Sequence, residues 1–413
     1  MKKTHIIKWL YPGMGIKRWI LLLALGMVMI AIGGWHWLSQ DNLPITVVGG
    51  LDLVIGIILV ITGTKRIIRN FINVFVPTRE DNIAELVYKR RQLKKGPKIV
   101  AIGGGTGLSV SLTGLKKYSD NITAVVTVAD DGGSSGRLRE QYDILPPGDI
   151  RNCLVALADA EPLMRNLFQF RFDEGSELAG HNFGNLFITA MSKLTGDFQK
   201  AINESSKVLA IRGRVIPSTL SRVVLMARLS DGTKIMGQAK IANSHIPIEK
   251  ISLLPNSCQA NEEAIKAIKK AEAVILGPGS LFTSILPNVL VGDLQQAIIN
   301  SRAIKIYICN VMTQFGETDD FKASDHVRVL IEHTHPKLID YVVVNTSTIP
   351  QEFCVRYKEE NAFPVESDTE TIEQMGYKVI EEEVISTVDY VRHDSMKLAK
   401  IINWILKQES KVF

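Results

Sequence analysis

Cysteine is scarce in this 413-residue chain, and its four copies are not grouped. Cys153, Cys258, Cys309 and Cys354 are each far from the next, and three of them lie in apolar strand or helix patterns. The paired spacings that build zinc sites or disulfide frameworks are missing. The sequence therefore predicts buried free thiols in a reducing compartment.

Basic and aromatic residues are too thinly spread to indicate a nucleic-acid partner. The formal net charge is only +5, and aromatic residues make up 7% of the chain. A long basic stretch interleaved with aromatic residues, which is typical of nucleic-acid-binding proteins, is missing. We therefore predict no binding to nucleic acid.

Two long apolar runs stand at the N-terminus, Trp19–Leu38 and Ile45–Thr64. Each is long enough to cross a bilayer, and the short link Ser39–Pro44 predicts a helical hairpin. A cleaved signal peptide is the alternative for the first run, but no small-x-small site follows it and a second run does. Asp52 interrupts the second run, and we expect it near the polar edge of the membrane or paired within the hairpin.

Positive charge flanks both ends of the hairpin, which places both termini in the cytoplasm. The flanking residues are Lys2, Lys3, Lys8, Lys17, Arg18, Lys65, Arg66 and Arg69. The predicted regions are a transmembrane hairpin at 1–70 (spans 19–38 and 45–64), a basic linker at 71–96 and a cytoplasmic domain at 97–413. Membrane lipid is thus one predicted partner. The basic run Val87–Lys95 either touches anionic headgroups or forms a plain solvated helix.

A glycine-rich loop follows the first predicted strand of the cytoplasmic domain. Lys98–Ile102 is apolar and β-branched, as expected for a buried strand. A strand, a glycine turn and a helix N-terminus together make a site for a phosphate or another anion. The residues assigned to this site are Gly103, Gly104, Gly105, Thr106 and Gly107. The alternative is a tight connection with no ligand.

This loop fits neither common nucleotide fingerprint. Leu108 stands where the dinucleotide motif needs a small residue, and no Lys-Ser or Lys-Thr follows Gly107. Asp130, at the end of the second strand Ile122–Ala129, does occupy the place of a ribose-binding acid. The residues therefore predict a nucleotide-like or phosphate-bearing ligand that is bound in a non-standard way.

A second small-residue loop follows that second strand. Its candidate ligand-binding residues are Asp130, Asp131, Gly133, Ser134 and Ser135. Asp130 and Asp131 are also the candidate ligands of Mg²⁺ through their oxygens, with a role as hydrogen-bonded organisers of the loop as the alternative. Ligand binding itself is predicted to require no cofactor.

Two further polar clusters precede predicted helices. In PPGDIRN, Asp149 is predicted to cap a helix, and Arg151 and Asn152 are candidate binding residues or, alternatively, only an ion partner and its neighbour. In GHNFGN, His181, Asn182 and Asn185 are candidate ligand residues because glycine and amide side chains surround the histidine. A hydrogen-bonded core histidine is the alternative.

The rest of the chain repeats the pattern of a buried strand that ends in a polar loop. The strand Ala273–Leu276 runs into Gly277, Gly279 and Ser280, and Ile304–Cys309 runs into Asn310. The stretch Val208–Ile241 is read as a β-rich insertion or sheet edge. With Tyr341–Val344 the count reaches at least five strands, so we predict an α/β fold with a doubly wound, mostly parallel sheet and one ligand cleft at its carboxyl edge.

A set of motifs in one order resembles the bacterial gluconeogenesis-factor family, within the wider 2-phospho-L-lactate transferase superfamily. The motifs are GGGTGLS, VADDGGSSGRLR, PPGDIRNCL, GHNFGNL, LTGDF, LAIRGRVIP, GPGSLFTS, CNVMTQFGETD and ASDH. The resemblance covers Pro97 to about His393 and implies a Rossmann-like fold. Transferase-branch members have bulky residues at the positions of Gly132 and Gly133 and lack GHNFGN, which favours the gluconeogenesis-factor branch.

The resemblance implies a UDP-sugar-binding regulator of cell shape and cell-wall growth on gluconeogenic carbon sources. Tyr357 and Arg392 match positions associated with UDP-sugar binding in that branch. The alternative is a transferase that moves a phospholactyl group from a guanosine diphosphate conjugate to a deazaflavin with Mg²⁺, in which Asp149 would be catalytic. We expect binding without turnover, a membrane-anchored version of a commonly soluble protein, and a homodimer as one option for its assembly.

Overall fold

The computed structural model of the chain describes residues 17–39, 43–75, 83–175, 177–387 and 390–409. Packing divides the chain into two units, Met1–Leu86 and Val87–Phe413. Three parts of the sequence predictions lie outside the described residues: the flanking lysines Lys2, Lys3 and Lys8, residues 40–42 of the interspan link, and residues 76–82 of the linker.

The first unit contains two apolar helices, α1 (Lys17–Ser39) and α2 (Leu43–Phe75). Both are long and apolar enough to cross a membrane. Glycines spaced seven residues apart lie where the helices meet, because seven residues are nearly two turns. A Cβ on Gly26 would lie 2.8 Å from the Gly56 carbonyl oxygen, and one on Gly33 would lie 2.7 Å from that of Gly49. Small residues thus allow a close approach of the two backbones.

The second unit is built on a parallel sheet of seven strands within the described residues, in the order β10-β9-β8-β7-β1-β2-β3. Each neighbouring pair is parallel. The strands of this sheet are β1 (Ile99–Gly103), β2 (Ile122–Val126), β3 (Arg214–Pro217), β7 (Ala273–Leu276), β8 (Ile304–Ile308), β9 (Tyr341–Asn345) and β10 (Lys378–Glu382).

Helices cover the sheet and connect its strands. In chain order the helices of this unit are α3 (Ile83–Lys94), α4 (Gly105–Leu115), α5 (Gly133–Tyr142), α6 (Gly148–Leu157), α7 (Pro162–Gln169), α8 (Phe183–Thr195), α9 (Phe198–Val208), α10 (Gln238–Ala242), α11 (Glu262–Lys269), α12 (Leu286–Val289), α13 (Gly292–Ile299), α14 (Ala323–Glu332), α15 (Gln351–Glu359), α16 (Thr369–Gln374) and α17 (Ser395–Glu409). A π-helical turn at Leu281–Ile285 precedes α12, and a 3₁₀ turn lies at Pro336–Leu338.

The strand order reverses between β1 and β7. From β1 the chain builds outward through β2 to β3, and from β7 it builds in the other direction through β8 and β9 to β10. The four central strands β1, β2, β7 and β8 are almost wholly buried, which explains their continuous apolar sequences. This topology confirms the predicted doubly wound α/β fold and opens a crevice beyond the carboxyl ends of β1 and β7.

Two small antiparallel sheets are added to this frame. The first pairs β4 (Val224–Leu229) with β5 (Lys234–Met236) and β6 (Ile248–Leu254). The second pairs β11 (Ile385–Ser386) with β12 (Arg392–His393). The sequence predicts that Val208–Ile241 is an insertion or a sheet edge. The stretch contains both, since β3 forms the edge of the main sheet and β4 begins the insertion.

Several boundaries differ from the sequence predictions. The sequence predicts a helix over Leu108–Lys117, but α4 begins at Gly105, because the loop glycines themselves form its first turn. It also predicts a helix over Glu161–Phe172, but α7 ends at Gln169, since Phe170 and Phe172 leave the helix to bond with the backbone around His181. The residue that caps α6 is Pro147, and Asp149 lies inside the first turn. The cap prediction is wrong because the carboxylate of Asp149 is directed at another loop.

The predicted linker contains helical residues. Helix α2 continues to Phe75, and the end of α3 packs on the second unit, where Leu93 is buried. The Asp120 N–H donates to the Leu93 carbonyl oxygen (2.9 Å), and the Asn121 side-chain amide donates to that of Lys94 (2.9 Å). The second unit therefore includes residues before Pro97.

Candidate functional site

The loops after β1 and β7 touch at the point where the strand order reverses. A Cβ on Gly107 would overlap the Pro278 carbonyl group, and one on Gly279 would lie 3.6 Å from the Gly104 carbonyl oxygen. The N-terminus of α4 therefore stands in the middle of the crevice. Its free N–H groups and the helix dipole favour an anion there.

Glycine is required in this first loop for two different reasons. Gly105 has φ +60°, a conformation that side chains with a Cβ rarely adopt. At Gly104 the limit is space, since a Cβ would lie 2.6 Å from both Asp149 Oδ2 and Thr127 Cγ2. The backbone of the loop is thus held directly against a carboxylate of α6.

Asp149 and Asp130 meet on the β2 side of α4. The Gly105 N–H donates to the Asp149 carboxylate, yet burial and the nearby Asp130 charge raise the pKa of Asp149 to about 7. Burial also raises the pKa of Asp130, although Gly132 N–H (3.0 Å) and the Ser135 hydroxyl donate to it. A carboxyl group that titrates near neutrality is suited to proton transfer.

Asp131 is directed away from this carboxylate pair. One of its carboxylate oxygens accepts from the Ala239 N–H (2.9 Å), and the other lies against Gly237 of the β4–β5–β6 insertion. Asp131 therefore ties the second loop to the insertion.

Asp130 and Asp149 are the carboxylates on this side of the crevice that would hold a magnesium ion, whereas the sequence prediction paired Asp130 with Asp131. Mg²⁺ is commonly held by one or two carboxylates together with ligand phosphates. Such an ion would neutralise charge on a bound diphosphate. The described residues contain no group of three or more His, Cys, Asp or Glu side chains placed to hold a metal ion.

Ser134 joins the second loop to the GHNFGN segment. Its hydroxyl oxygen accepts from Asn185 Nδ2 (3.2 Å) and Asn182 N–H (3.4 Å), and it lies 3.1 Å from His181 Nδ1. Because the oxygen already accepts twice, its proton is directed to Nδ1, so the neutral imidazole carries its own proton on Nε2. Burial lowers the pKa of His181, in keeping with this neutral form.

Arg151 and Asn152 lie on α6 behind this network. Arg151 Nη2 donates to Asn152 Oδ1 (2.6 Å), and the stem of Arg151 packs against Gly184. The buried Nε atom of Arg151 and the buried Oδ1 atom of Asn185 have no hydrogen-bond partner among the described residues. We call this region, made of Asp130, Ser134, Asp149, His181 and Asn185, the acidic side of the crevice.

The β7 and β8 loops form the other side, which encloses a pocket of about 400 Å³. We call it the open side. Its lining includes Thr106, Gly107, Gly279, Ser280, Asn310, Tyr357, Arg392 and His393. Chain segments that are far apart in the sequence thus meet in one pocket, as the convergence of loops at one sheet edge predicts.

Tyr357 and Arg392 are placed to contact a ligand in this pocket. The Tyr357 hydroxyl lies 3.4 Å from the Val391 carbonyl oxygen, and the half-buried side chain packs against the apolar cluster that contains Val311 and Val391 while lining the pocket. The exposed Arg392 guanidinium lies 5.0 Å from the Tyr390 ring centroid. Asn310 adds a buried side-chain oxygen without a hydrogen-bond partner in the described part of the chain.

Two further residues belong to the open side: Glu317 carries no role in the sequence predictions, whereas His393 is expected from the sequence, with Arg392, to help hold an anion before the last helix. Glu317 is buried and accepts a hydrogen bond from the Ser280 hydroxyl, and burial raises its pKa. His393 donates from Nε2 to the Cys309 carbonyl oxygen (3.1 Å), and burial lowers its pKa to about 4. Glu317 lies in the motif CNVMTQFGETD, but its burial beneath the β7 loop could not be inferred from spacing.

Fold and crevice together define the class: a doubly wound α/β protein with a glycine-rich helix N-terminus at the switch point of its sheet. The family model of the 2-phospho-L-lactate transferase CofD matches residues 99–385, and the chain belongs to this family. This confirms the resemblance that the motifs indicate.

Relatives with known names are similar over most of their length. A putative gluconeogenesis factor of Nostoc sp. is 46% identical over 96% of this chain and 91% of its own length. The gluconeogenesis factor of Bacillus subtilis is 48% identical over 76% of this chain and 99% of its own length. The crystal structure of a UPF0052-family protein from Bacillus halodurans is 44% identical and has a TM-score of 0.73. It covers 75% of this chain and 99% of its own.

Proposed function

We propose that this chain is a membrane-anchored nucleotide-sugar-binding regulator that acts in cell shape and cell-wall growth under gluconeogenic conditions. The observation that carries the proposal is the open side of the crevice, where Tyr357 and Arg392 share one pocket with the N-terminus of α4. The names of the relatives, gluconeogenesis factors, support the physiological setting.

The chemistry of the crevice suits the parts of a UDP-sugar. Arginine binds phosphate oxygens in a bidentate fork, and the N–H groups at the start of α4 add further donors to a diphosphate. A tyrosine ring can stack on a base or a sugar. The unpartnered Asn310 oxygen supplies an acceptor for a ligand N–H or hydroxyl group.

A transferase is the second candidate, and the acidic side favours it. The raised pKa of Asp149 would let this carboxyl group act as a base or an acid near neutral pH. Together with Asp130 it would hold Mg²⁺ against a diphosphate. The same arrangement serves a binding protein, in which the carboxylates only select ligands that arrive with a cation.

Calorimetry and a turnover assay on the same sample distinguish the two. The unit Val87–Phe413 is a suitable sample, because it is compact by itself and keeps the buried Leu93 and the Lys94 carbonyl that Asn121 binds. We expect UDP-sugar binding, with Mg²⁺ affecting its strength. Mixing the protein with a UDP-sugar, Mg²⁺ and candidate acceptors should release no UMP or UDP. Sustained release that depends on Asp149 would establish the transferase instead.

Membrane anchoring needs its own test on the full chain. A reporter fused after Phe413 should report a cytoplasmic location, because lysine and arginine flank the hairpin at both ends. A reporter signal from the opposite side of the membrane would contradict the topology while leaving nucleotide-sugar binding unaffected.

A further inference from the structure

Within 17–39 and 43–75, the charged side chains at the end of the hairpin where α1 begins and α2 passes residue 64 are all positive. Five cationic side chains lie there: Lys17, Arg18, Lys65, Arg66 and Arg69. The one acidic residue in 17–39 and 43–75 is Asp52, which lies three to four turns away along α2. No carboxylate of these ranges therefore neutralises the cations.

Close packing of the two helices brings the cations of α1 and α2 together. A Cβ on Gly63 would lie 3.1 Å from the Trp19 carbonyl oxygen, so the start of α1 lies directly on α2 at this level. Two guanidinium groups lie near the Trp19 ring. That of Arg18 is 5.1 Å from the ring centroid, and that of Arg66 is 5.3 Å from it. Cation–π contacts at these distances order both guanidiniums.

A cavity of about 390 Å³ lies among these groups. Its lining consists of three cations and the two α2 residues that precede them by one turn: Ile61, Thr62, Lys65, Arg66 and Arg69. Tryptophan is favoured at the level of lipid headgroups, and arginine and lysine bind phosphate. A cationic cluster at the end of the exposed apolar surface of the hairpin fits a molecule that carries a phosphate above acyl chains.

We propose that this end of the hairpin is a binding site for the phosphate headgroup of an anionic phospholipid, formed by Lys65, Arg66 and Arg69 with Arg18 and Trp19. The inference rests on the membrane anchoring in the proposed function but is independent of nucleotide-sugar binding. It assigns lipid selectivity to the hairpin, beyond its role as an anchor.

The test uses the full chain in detergent, titrated with phosphatidylglycerol or phosphatidylcholine and examined by native mass spectrometry. The wild type should prefer phosphatidylglycerol by about tenfold or more. The variant Lys65→Gln/Arg66→Gln/Arg69→Gln should lose this preference. The matched control, Arg90→Gln/Arg91→Gln/Lys94→Gln, removes the same charge from the basic run of α3 and should stay within about twofold of the wild type.

Three outcomes would overturn the proposal. Equal losses in the two triple variants would mean general attraction between charges, and an unchanged first variant would place lipid binding elsewhere. Displacement of phosphatidylglycerol by millimolar inorganic phosphate would show a site for free phosphate. A second variant, Trp19→Leu, serves if the triple variant does not insert into the membrane. It keeps every charge, and we expect it to weaken phosphatidylglycerol binding by about threefold or more. Wild-type binding by Trp19→Leu would also overturn the proposal.

Carbonate extraction of membranes distinguishes failure of the lipid-headgroup site from failure of the membrane anchoring on which it rests. A chain that is extracted as a soluble protein contradicts the anchor itself. A chain that stays in the membrane but shows no lipid preference contradicts only the headgroup site.

Discussion

On the acidic side of the crevice the polar groups are buried or half-buried and most of them are hydrogen-bonded within the loops, whereas on the open side they line a pocket of about 400 Å³. Asp130, Ser134 and Asp149 each accept or share hydrogen bonds with neighbouring loops. Arg392 is exposed, and Asn310 has an unpartnered oxygen. Under the proposed function, the acidic side would hold a proton or a cation, and the open side would receive the anionic ligand.

The N-terminus of α4 serves both sides. The Gly105 N–H donates to Asp149, while Thr106 and Gly107 line the open pocket. The first turn of α4 therefore contacts both the acidic side and the open side of the crevice. A substitution in this turn should affect both sides. The predictions below start from this shared turn and proceed to each side alone.

The largest effect is expected for Gly105→Val. Gly105 has φ +60°, which is strained for a β-branched residue, and the change displaces the N–H groups that face an anion. UDP-sugar affinity measured by calorimetry should fall by about 100-fold or more, since hydrogen bonds to charged groups contribute about 1.5–3 kcal/mol each.

Gly292→Val is the matched control for that change, because Gly292 also lies in a first helical turn but has open space around it. It should leave affinity unchanged. Wild-type affinity in a folded Gly105→Val protein would show that the loop is only a connection between β1 and α4.

Asp149→Asn tests the acidic side through pH. The folded-state pKa of about 7 lies above the ordinary aspartate value, so the folded protein holds a proton that the unfolded chain releases. The stability from this group is complete below about pH 4 and is lost as pH rises through 7. In magnesium-free buffer the variant should lack this decline and unfold in urea at pH 8 with a free energy higher by on the order of 3 kcal/mol.

The exposed first-turn residue Asp293 offers the control, since Asp293→Asn should leave the pH dependence of unfolding as it is in the wild type. Parallel urea curves for Asp149→Asn and wild type at pH 5 and pH 8 would contradict the buried, proton-holding state of Asp149.

Arg392→Ala tests the open side. Loss of a hydrogen-bonded charge should weaken UDP-sugar binding by about 1.5–3 kcal/mol. Lysine at this position should restore little, because it lacks the planar fork that matches a phosphate. Equilibrium dialysis with a labelled UDP-sugar measures both variants. Arg302→Ala, an exposed arginine at the amino edge of the sheet, should bind as the wild type does, and an equal loss there would remove Arg392 from the site.

The smallest effect is expected for Glu317→Gln. The amide can still accept one hydrogen bond, but it no longer holds the Ser280 hydroxyl as a carboxylate does. The loop after β7 should be held less firmly at Ser280, and UDP-sugar affinity should fall by about threefold to tenfold. Glu366→Gln, which breaks only the exposed ion pair with Lys322, is the comparison. Identical affinities in the two variants would mean that Glu317 has no part in shaping the pocket.

Short-range signals in the sequence were sufficient for the framework of the fold. Apolar β-branched runs located β1, β2, β7, β8 and β9, because a strand buried on both faces leaves a continuous hydrophobic pattern. The apolar pattern did not predict strand β10, because its sequence KVIEE lies at the sheet edge, where it is partly exposed and carries three charged residues. The first helical turn of α4 was also missed, because glycine carries no helical preference that spacing could reveal.

The amino-acid sequence by itself determined the class of fold, the two apolar helices and the loops that supply the crevice, since period, length and glycine placement are local properties. Only the tertiary structure decided how those loops divide. It paired Asp130 with Asp149 rather than Asp131, placed Glu317 under Ser280, and brought Tyr357 and Arg392 to the start of α4. These contacts join residues tens to hundreds of positions apart, and their energies depend on burial and charge proximity, which exist only after the sheet has formed.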